Sequence, residues 1–270
     1  MIQLPTKEKE EIIQEYLDGN SIEAIKSQYH HDYKVVQTVI KDAGIDIHKR
    51  SRYKCNYHMF DTIDTEEKAY WLGMLFADGY VYEPKHSVSL SLQSSDVDCL
   101  YSLQKFFETD TPVHTYPRTN NTEMSELTIY NKHLYEQVVA KGCIPRKTGK
   151  VVFPKCVPSH LVRHFIRGYF DGNGWITHIT RQYKTKHPDY TFGIASTKEM
   201  LCEIYKYLPT NKKRETPCMW RTKRCEAEVY HMTFGGNLQV IKILDYLYNN
   251  ATVYLQRKHD RYLLLKNMYS

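Results

Sequence analysis

Two stretches of this chain repeat one another at a fixed separation. The first reads Tyr70 Trp71 Leu72 Gly73 Met74 Leu75 Phe76 Ala77 Asp78 Gly79 Tyr80, and the second Phe165 Ile166 Arg167 Gly168 Tyr169 Phe170 Asp171 Gly172 Asn173 Gly174 Trp175. Gly168 follows Gly73, and Asn173 follows Asp78, by the same 95 residues. An internal repeat at this spacing implies two similar structural units. Within each copy a glycine and a small residue four positions on (Gly73 with Ala77, Gly168 with Gly172) fall on one face of a helix. With no bulky side chain on that face, two such helices can meet backbone to backbone across a pseudo-two-fold axis. Asp78 and Asn173 then lie at the bottom of the seam.

The elements that follow each copy also match. Period-2 alternation switching to 3.6 and back predicts strands over residues 80–82 and 88–92, a helix over 96–107, strands over 113–116 and 126–130, and a helix over 132–140. After the second copy, strands are expected over 175–179 and 190–195, a helix over 198–207, strands over 219–222 and 228–233, and helices over 238–247 and 254–266. Each unit thus runs helix, two strands, helix, two strands, helix. The expected fold class is α+β: two pseudo-symmetric αββαββα halves with antiparallel sheets and the repeated helices packed centrally. The halves are placed at residues 61–155 and 156–270.

Residues 1–50 read as a separate all-helical unit. Thr6 opens a helix that ends near Gly19, Ser21 opens a second over residues 22–29, and a third runs from Tyr33 to Ala43 and stops at Gly44. Three short helices with a tight turn before the last fit a helix-turn-helix, whose third helix enters the DNA major groove. Its polar face would carry Lys34, Gln37, Thr38 and Lys41, side chains able to reach bases and phosphates. A generic three-helix docking module fits the near-neutral segment as well. Residues 51–60 are read as a linker, and the basic stretch around Arg50 and Arg52 suits a phosphate backbone or an ordinary exposed connection.

The charge of +6 is unevenly spread, because residues 156–270 hold 18 Lys and Arg against 9 Asp and Glu. One-sided basic charge is the footprint of a polyanion partner, although a solvated charged face gives the same count. No apolar run is long enough to cross a membrane, and the charged start lacks the apolar stretch of a signal peptide, so an intracellular, cytoplasmic protein is expected. Seven cysteines without a C-x-x-C pair point to reduced thiols rather than a disulfide framework or zinc site.

The two motifs, WLGMLFADG and IRGYFDGNG, resemble the paired signatures of monomeric LAGLIDADG homing endonucleases. The lead-in at residues 63–70 and the tail at 251–258 are similar to family members carried by phages and introns, and the likeness spans residues 60–270. The resemblance implies saddle-shaped sheets laid on double-stranded DNA and hydrolysis of both strands of a long site with Mg2+ or Mn2+, Ca2+ being a non-catalytic substitute. It carries Asp78 over as the first metal-binding carboxylate, with the Ala77 and Gly172 carbonyls as backbone ligands. Asn173 departs from the pattern, since an amide keeps the shape of aspartate without its charge. An inactivated form, a single-strand nickase and a protein that only binds, whether a regulator or an RNA maturase, remain open. Asp171, two positions earlier, is a second carboxylate, but its counterpart is Phe76.

Lys147 and Lys258 resemble the family's lysines that face the scissile phosphates, and a surface ammonium making a phosphate contact fits them equally well. Base reading is expected from the strands, through Arg118, His178, Thr180, Arg181, Gln182, Lys184, Arg221, Lys223 and Arg224, unless these form a solvated sheet face.

Overall fold

The computed structural model describes residues 4–17, 20–45, 47, 53–118, 122–179, 188–211, 214–222 and 228–269. Arg50, Arg52, Thr180, Arg181, Gln182, Lys184, Lys223 and Arg224 lie outside the described residues.

The N-terminal unit contains α1 (Thr6–Leu17), α2 (Ile22–Tyr29) and α3 (Tyr33–Asp42). Ile12, Tyr16, Ile22, Ile25, Val36, Val39 and Ile40 bury one another in a core of their own. The 3.6-residue period of α3 therefore leaves Lys34, Thr38 and Lys41 exposed and Gln37 half-buried on its outer side.

The first half runs α4 (Glu66–Ala77), β1 (Gly79–Tyr82), β2 (Ser87–Gln93), α5 (Val97–Phe106), β3 (His114–Arg118), β4 (Thr122–Tyr130) and α6 (Lys132–Ala140). The second runs α7 (Val162–Asn173), β5 (Gly174–Ile179), β6 (Asp189–Ser196), α8 (Lys198–Tyr207), β7 (Met219–Arg221), β8 (Tyr230–Gly235) and α9 (Asn237–Tyr248), with α10 (Gln256–Asn267) added. The expected element order is found in both. Each sheet is antiparallel, ordered β1-β2-β4-β3 and β5-β6-β8-β7, so the halves share topology as well as motif.

Strand alternation sets the two sides of each sheet. In the first, Val88, Leu90, Leu92, Leu127 and Ile129 face the core, while Tyr80, Tyr82, Ser91, Glu126 and Thr128 face away. In the second, Ile176, Tyr190, Phe192, Ile194 and Met232 face the core. Trp175, Thr177, Thr191 and His231 take the other face, where the Trp220 and His231 rings stack at 3.9 Å.

The first half begins before α4. Tyr57 and Phe60 are buried in the main core, and Phe60 packs against Phe106 and Phe107. The backbone N–H of Asn56 donates to the Phe107 carbonyl (2.8 Å). Much of the stretch read from sequence as a linker is therefore docked, because the Tyr57 and Phe60 side chains have apolar surface to hide.

Candidate active site at the helix seam

Helices α4 and α7 cross at the centre of the molecule with almost nothing between them. A Cβ on Gly73 would collide with the carbonyl oxygen of Phe165 and lie 2.8 Å from the amide of Tyr169. One on Gly168 would collide with the Tyr70 carbonyl oxygen and lie 3.0 Å from the Met74 amide. Phe165 and Tyr169 are the repeat counterparts of Tyr70 and Met74, so each glycine meets equivalent backbone on the other helix. One turn further, a Cβ on Gly172 would overlap that of Ala77 and sit 3.1 Å from Oδ2 of Asp78. The seam thus sets Asp78 beside the residue that precedes Asn173.

Asp78 caps the C-terminal end of α4 and is exposed. Protein nonetheless crowds its carboxyl, and desolvation raises its pKa against the pull of Lys258, Lys147 and Arg257. Asn173, at the end of α7, is half-buried, and its Nδ2 donates to the Tyr169 hydroxyl (3.2 Å). It lines a cavity of about 160 Å3 together with Ala77, Lys147, Tyr169, Ser196 and Thr197.

The two candidate lysines hold equivalent backbone positions. Nζ of Lys147 donates to the Gly79 carbonyl, and Nζ of Lys258 to that of Gly174 (2.6 Å), the repeat counterpart of Gly79. Their surroundings differ. Lys258 is 2% exposed and also donates to the carbonyls of Phe170 (2.6 Å) and Asp171 (2.7 Å), so all three N–H bonds go to carbonyls at the end of α7, of which that of Phe170 also accepts from the Gly174 amide. It is not the surface ammonium considered from sequence. Burial depresses its pKa to about 8. Lys147 is half-buried, with Gly79 as its one hydrogen-bond acceptor among the described residues, and faces the cavity that Asn173 lines.

Replacing Lys258 with Met should therefore cost stability before it touches any chemistry. Three carbonyls lose the ammonium and that of Phe170 keeps the Gly174 amide; each carbonyl left unsatisfied costs about 1–3 kcal/mol, partly offset because an ammonium is no longer buried. We expect a fall in Tm of roughly 5–10 °C in calorimetry, from a net loss of about 3 kcal/mol. An unchanged Tm would show that the capping role is wrong.

Asp171 is no metal ligand in this arrangement. Its carboxylate is buried and accepts from Tyr70 Oη (2.9 Å), Tyr248 Oη (2.5 Å) and the Leu255 amide (2.7 Å). It binds α4, α9 and the entry to α10 together, and desolvation raises its pKa even beside Lys258. Sequence reasoning also missed Arg167, which is fully buried. It donates to Glu66 Oε1 across the seam (2.7 Å) and to the Val253 (2.9 Å) and Leu247 (3.0 Å) carbonyls. Beside it, His164 has its pKa lowered to about 4 by desolvation and the Arg167 charge. A second bridge between the halves pairs Nε of Arg257 with both oxygens of the buried Asp96 (3.1 and 2.8 Å). One signal for the first bridge was present in the repeat, where Arg167 stands opposite Leu72.

The base-reading candidates divide. Arg118 is exposed at the end of β3, on the side of the sheet that faces away from the core. His178 is exposed but has the parity of Ile176, against Tyr190 at the end of β5, and Arg221 has the parity of the core-packed Met219. Period 2 therefore sends these last two toward the core side, and the outward positions beside them belong to Thr177 and Trp220.

A divalent cation fits the first motif better than the second. Hard ions take carboxylate and carbonyl oxygens. Asp78 supplies a carboxylate, and the missing side chain at Gly172 lets the backbone of α7 pack closely beside it. Asn173 offers a neutral amide.

Among solved structures, the chain is similar to I-LtrWI, a LAGLIDADG homing endonuclease bound to target DNA. Identity is 15% and the TM-score 0.47, over 79% of this chain and 92% of that one. It is also similar to the LAGLIDADG homing endonuclease I-SmaMI bound to cleaved DNA, with 12% identity and a TM-score of 0.47 over 76% of this chain and 89% of that one. A third similar structure is I-SmaMI on an uncleaved target in the presence of calcium ions, at 13% identity and a TM-score of 0.45, over 74% and 92%. No family model and no curated protein matches the sequence. No helix among the described residues is long and apolar enough to cross a membrane.

Proposed function

We propose that this chain is a monomeric, site-specific DNA endonuclease of the homing type, and that Asn173 leaves its second catalytic position without charge. The observation that carries this reading is the glycine seam, which brings the ends of two helices together with Asp78 against Gly172, the residue before Asn173, each helix leading into an antiparallel sheet. A pseudo-two-fold pair of this kind matches the local symmetry of a DNA duplex, whose strands are related by dyads.

Asp78, with the Ala77 and Gly172 carbonyls, would hold Mg2+ or Mn2+. When bound, such an ion polarises the phosphodiester and lowers the pKa of water. The protein's own part is to position and to balance charge. Lys258, Lys147 and Arg257 offset part of the desolvation that raises the Asp78 pKa. Lys147 has the freer ammonium and faces the cavity, where it can stabilise charge that develops on a phosphate oxygen. Lys258 fixes the backbone on which Asn173 stands. The outward faces of the two sheets supply base contacts, Arg118 among them, and the three-helix unit acts as a helix-turn-helix on flanking DNA, through Lys34, Gln37, Thr38 and Lys41.

Asn173 favours a second reading, in which the same surface binds DNA and cuts neither strand. Both readings are separated by incubating the protein with supercoiled plasmids carrying a randomised insert, in Mg2+ or Mn2+, and sequencing the broken ends. Site-specific nicks that vanish in Asp78→Asn, with DNA retention kept in a gel shift, are expected of the nuclease. Retention without any nick in the native protein would leave the binding reading standing.

A further inference from the structure

A second group of metal-ligating side chains lies away from the seam. His58 precedes the buried Phe60, Asp61 follows it, and His133 occupies the first turn of α6. Nδ1 of His58 is 2.8 Å from Oδ2 of Asp61, and Nε2 of His133 is 2.6 Å from Oδ1 of the same carboxylate. The two imidazole centroids are 4.6 Å apart, and the three ligand atoms all lie within 4.8 Å of one another.

The local backbone holds this geometry from several directions. The His58 amide donates to Oδ1 of Asn56 (3.2 Å), and the Asp61 amide to the His58 carbonyl (3.0 Å), closing a tight turn. Phe60 is locked between Phe106 and Phe107, so the turn cannot slide along the protein. The side chain of His133 approaches from a helix that comes 72 residues later in the chain.

We propose that His58, Asp61 and His133 form a metal site for a borderline transition ion, Zn2+ being the best fit, which fastens the segment entering the first half to α6. Two imidazoles and one carboxylate are the donor set such ions prefer, whereas Mg2+ favours oxygen alone. Tetrahedral bonds of about 2.0–2.2 Å place ligand atoms roughly 3.3 Å apart, a separation reached here by small rotations of three partly exposed side chains. The fourth position opens to solvent and takes water. On binding, each imidazole coordinates through the nitrogen that now faces Asp61, and any proton carried there is released to solvent. The site is independent of the seam and of any nuclease activity: it is built from side chains that touch neither motif, and its chemistry differs from that of the oxygen donors around Asp78.

The test uses the full chain without a histidine tag, stripped with a chelator and then titrated with Zn2+ in excess Mg2+. We expect one equivalent to bind, with a rise in Tm, and Co2+ to give a tetrahedral visible spectrum without the thiolate charge-transfer band that the exposed Cys156 or Cys218 would add. His133→Gln, a surface change on α6, should weaken binding at least about a hundredfold and abolish the Tm rise, with unaltered circular dichroism. His58→Gln should do the same. Failure of the native protein to take up Zn2+ would overturn the proposal and leave a carboxylate bridging two imidazoles. Equal uptake by the native protein and both variants would overturn it too, by assigning the ion to other side chains.

Discussion

Gly168→Ala is expected to destabilise this protein by about 3 kcal/mol or more, although alanine is the better helix former. On helix propensity alone the change would stabilise α7 by about 1 kcal/mol. The new methyl group, however, would collide with the Tyr70 carbonyl oxygen and stand 2.8 Å from its carbonyl carbon and 3.0 Å from the Met74 amide. These are backbone atoms of α4, so no rotamer change relieves the contact, and the two helices must move apart. That movement loosens a seam bridged by the fully buried Arg167 and its Glu66 partner, whose disruption alone carries a penalty of about 3–5 kcal/mol. Overpacking of about 1–3 kcal/mol is the ordinary range, and a two-sided backbone clash lies at its upper end or beyond. Gly235→Ala is the matched control. Its nearest atom would be Thr191 Cγ2 at 4.0 Å, so a change within about 0.5 kcal/mol is expected. Chemical denaturation of both variants measures the difference, and a Gly168→Ala protein as stable as the native one would show that the helices are not in backbone contact.

That seam was readable from the sequence because its cause is local and repeated. Two small residues four apart, twice, at one offset, leave few ways for two helices to pack. The strands were readable for a similar reason, since Val88, Leu90 and Leu92 alternate with polar residues in plain view. The charges that hold the halves together were harder to see. Glu66 and Arg167 are 101 residues apart, and Asp96 and Arg257 are 161 apart, so only the folded chain pairs them. Lys258 shows the limit most clearly. The tail around it suggested a lysine facing DNA, whereas the structure spends all three of its donors on the end of α7. Nothing in the residue type distinguishes these uses, because both put an ammonium against oxygen atoms. The trio of His58, Asp61 and His133 escaped notice for the reason of distance, and because a search for metal sites by cysteine spacing passes over it.

Asn173→Asp is the change with the largest expected effect on activity. The substitution adds a negative charge with hardly any change of shape, and its surroundings can accept it. Asn173 now donates to the Tyr169 hydroxyl, which lies 2.6 Å from the Ser196 hydroxyl. An aspartate at this position can accept from the Tyr169 hydroxyl, which accepts in turn from Ser196, so each of the three groups keeps a partner. Lys147 lines the same cavity and offers a counter-charge. The second motif would then present the carboxylate that the first already has, and a divalent ion could be held on both sides of the seam. On the proposed function, the native protein nicks one strand, and the variant should convert nicked plasmid to linear with a rate gain on the order of a hundredfold or more, the scale on which one well-placed electrostatic group acts. Asp78→Asn in the same background should return the enzyme to nicking, now of the opposite strand. Strand-specific end labels would read this exchange directly. Were the variant to cut at the native rate, with the same strand bias, position 173 would have no part in holding the ion, and the pairing of the two motifs would serve the fold alone.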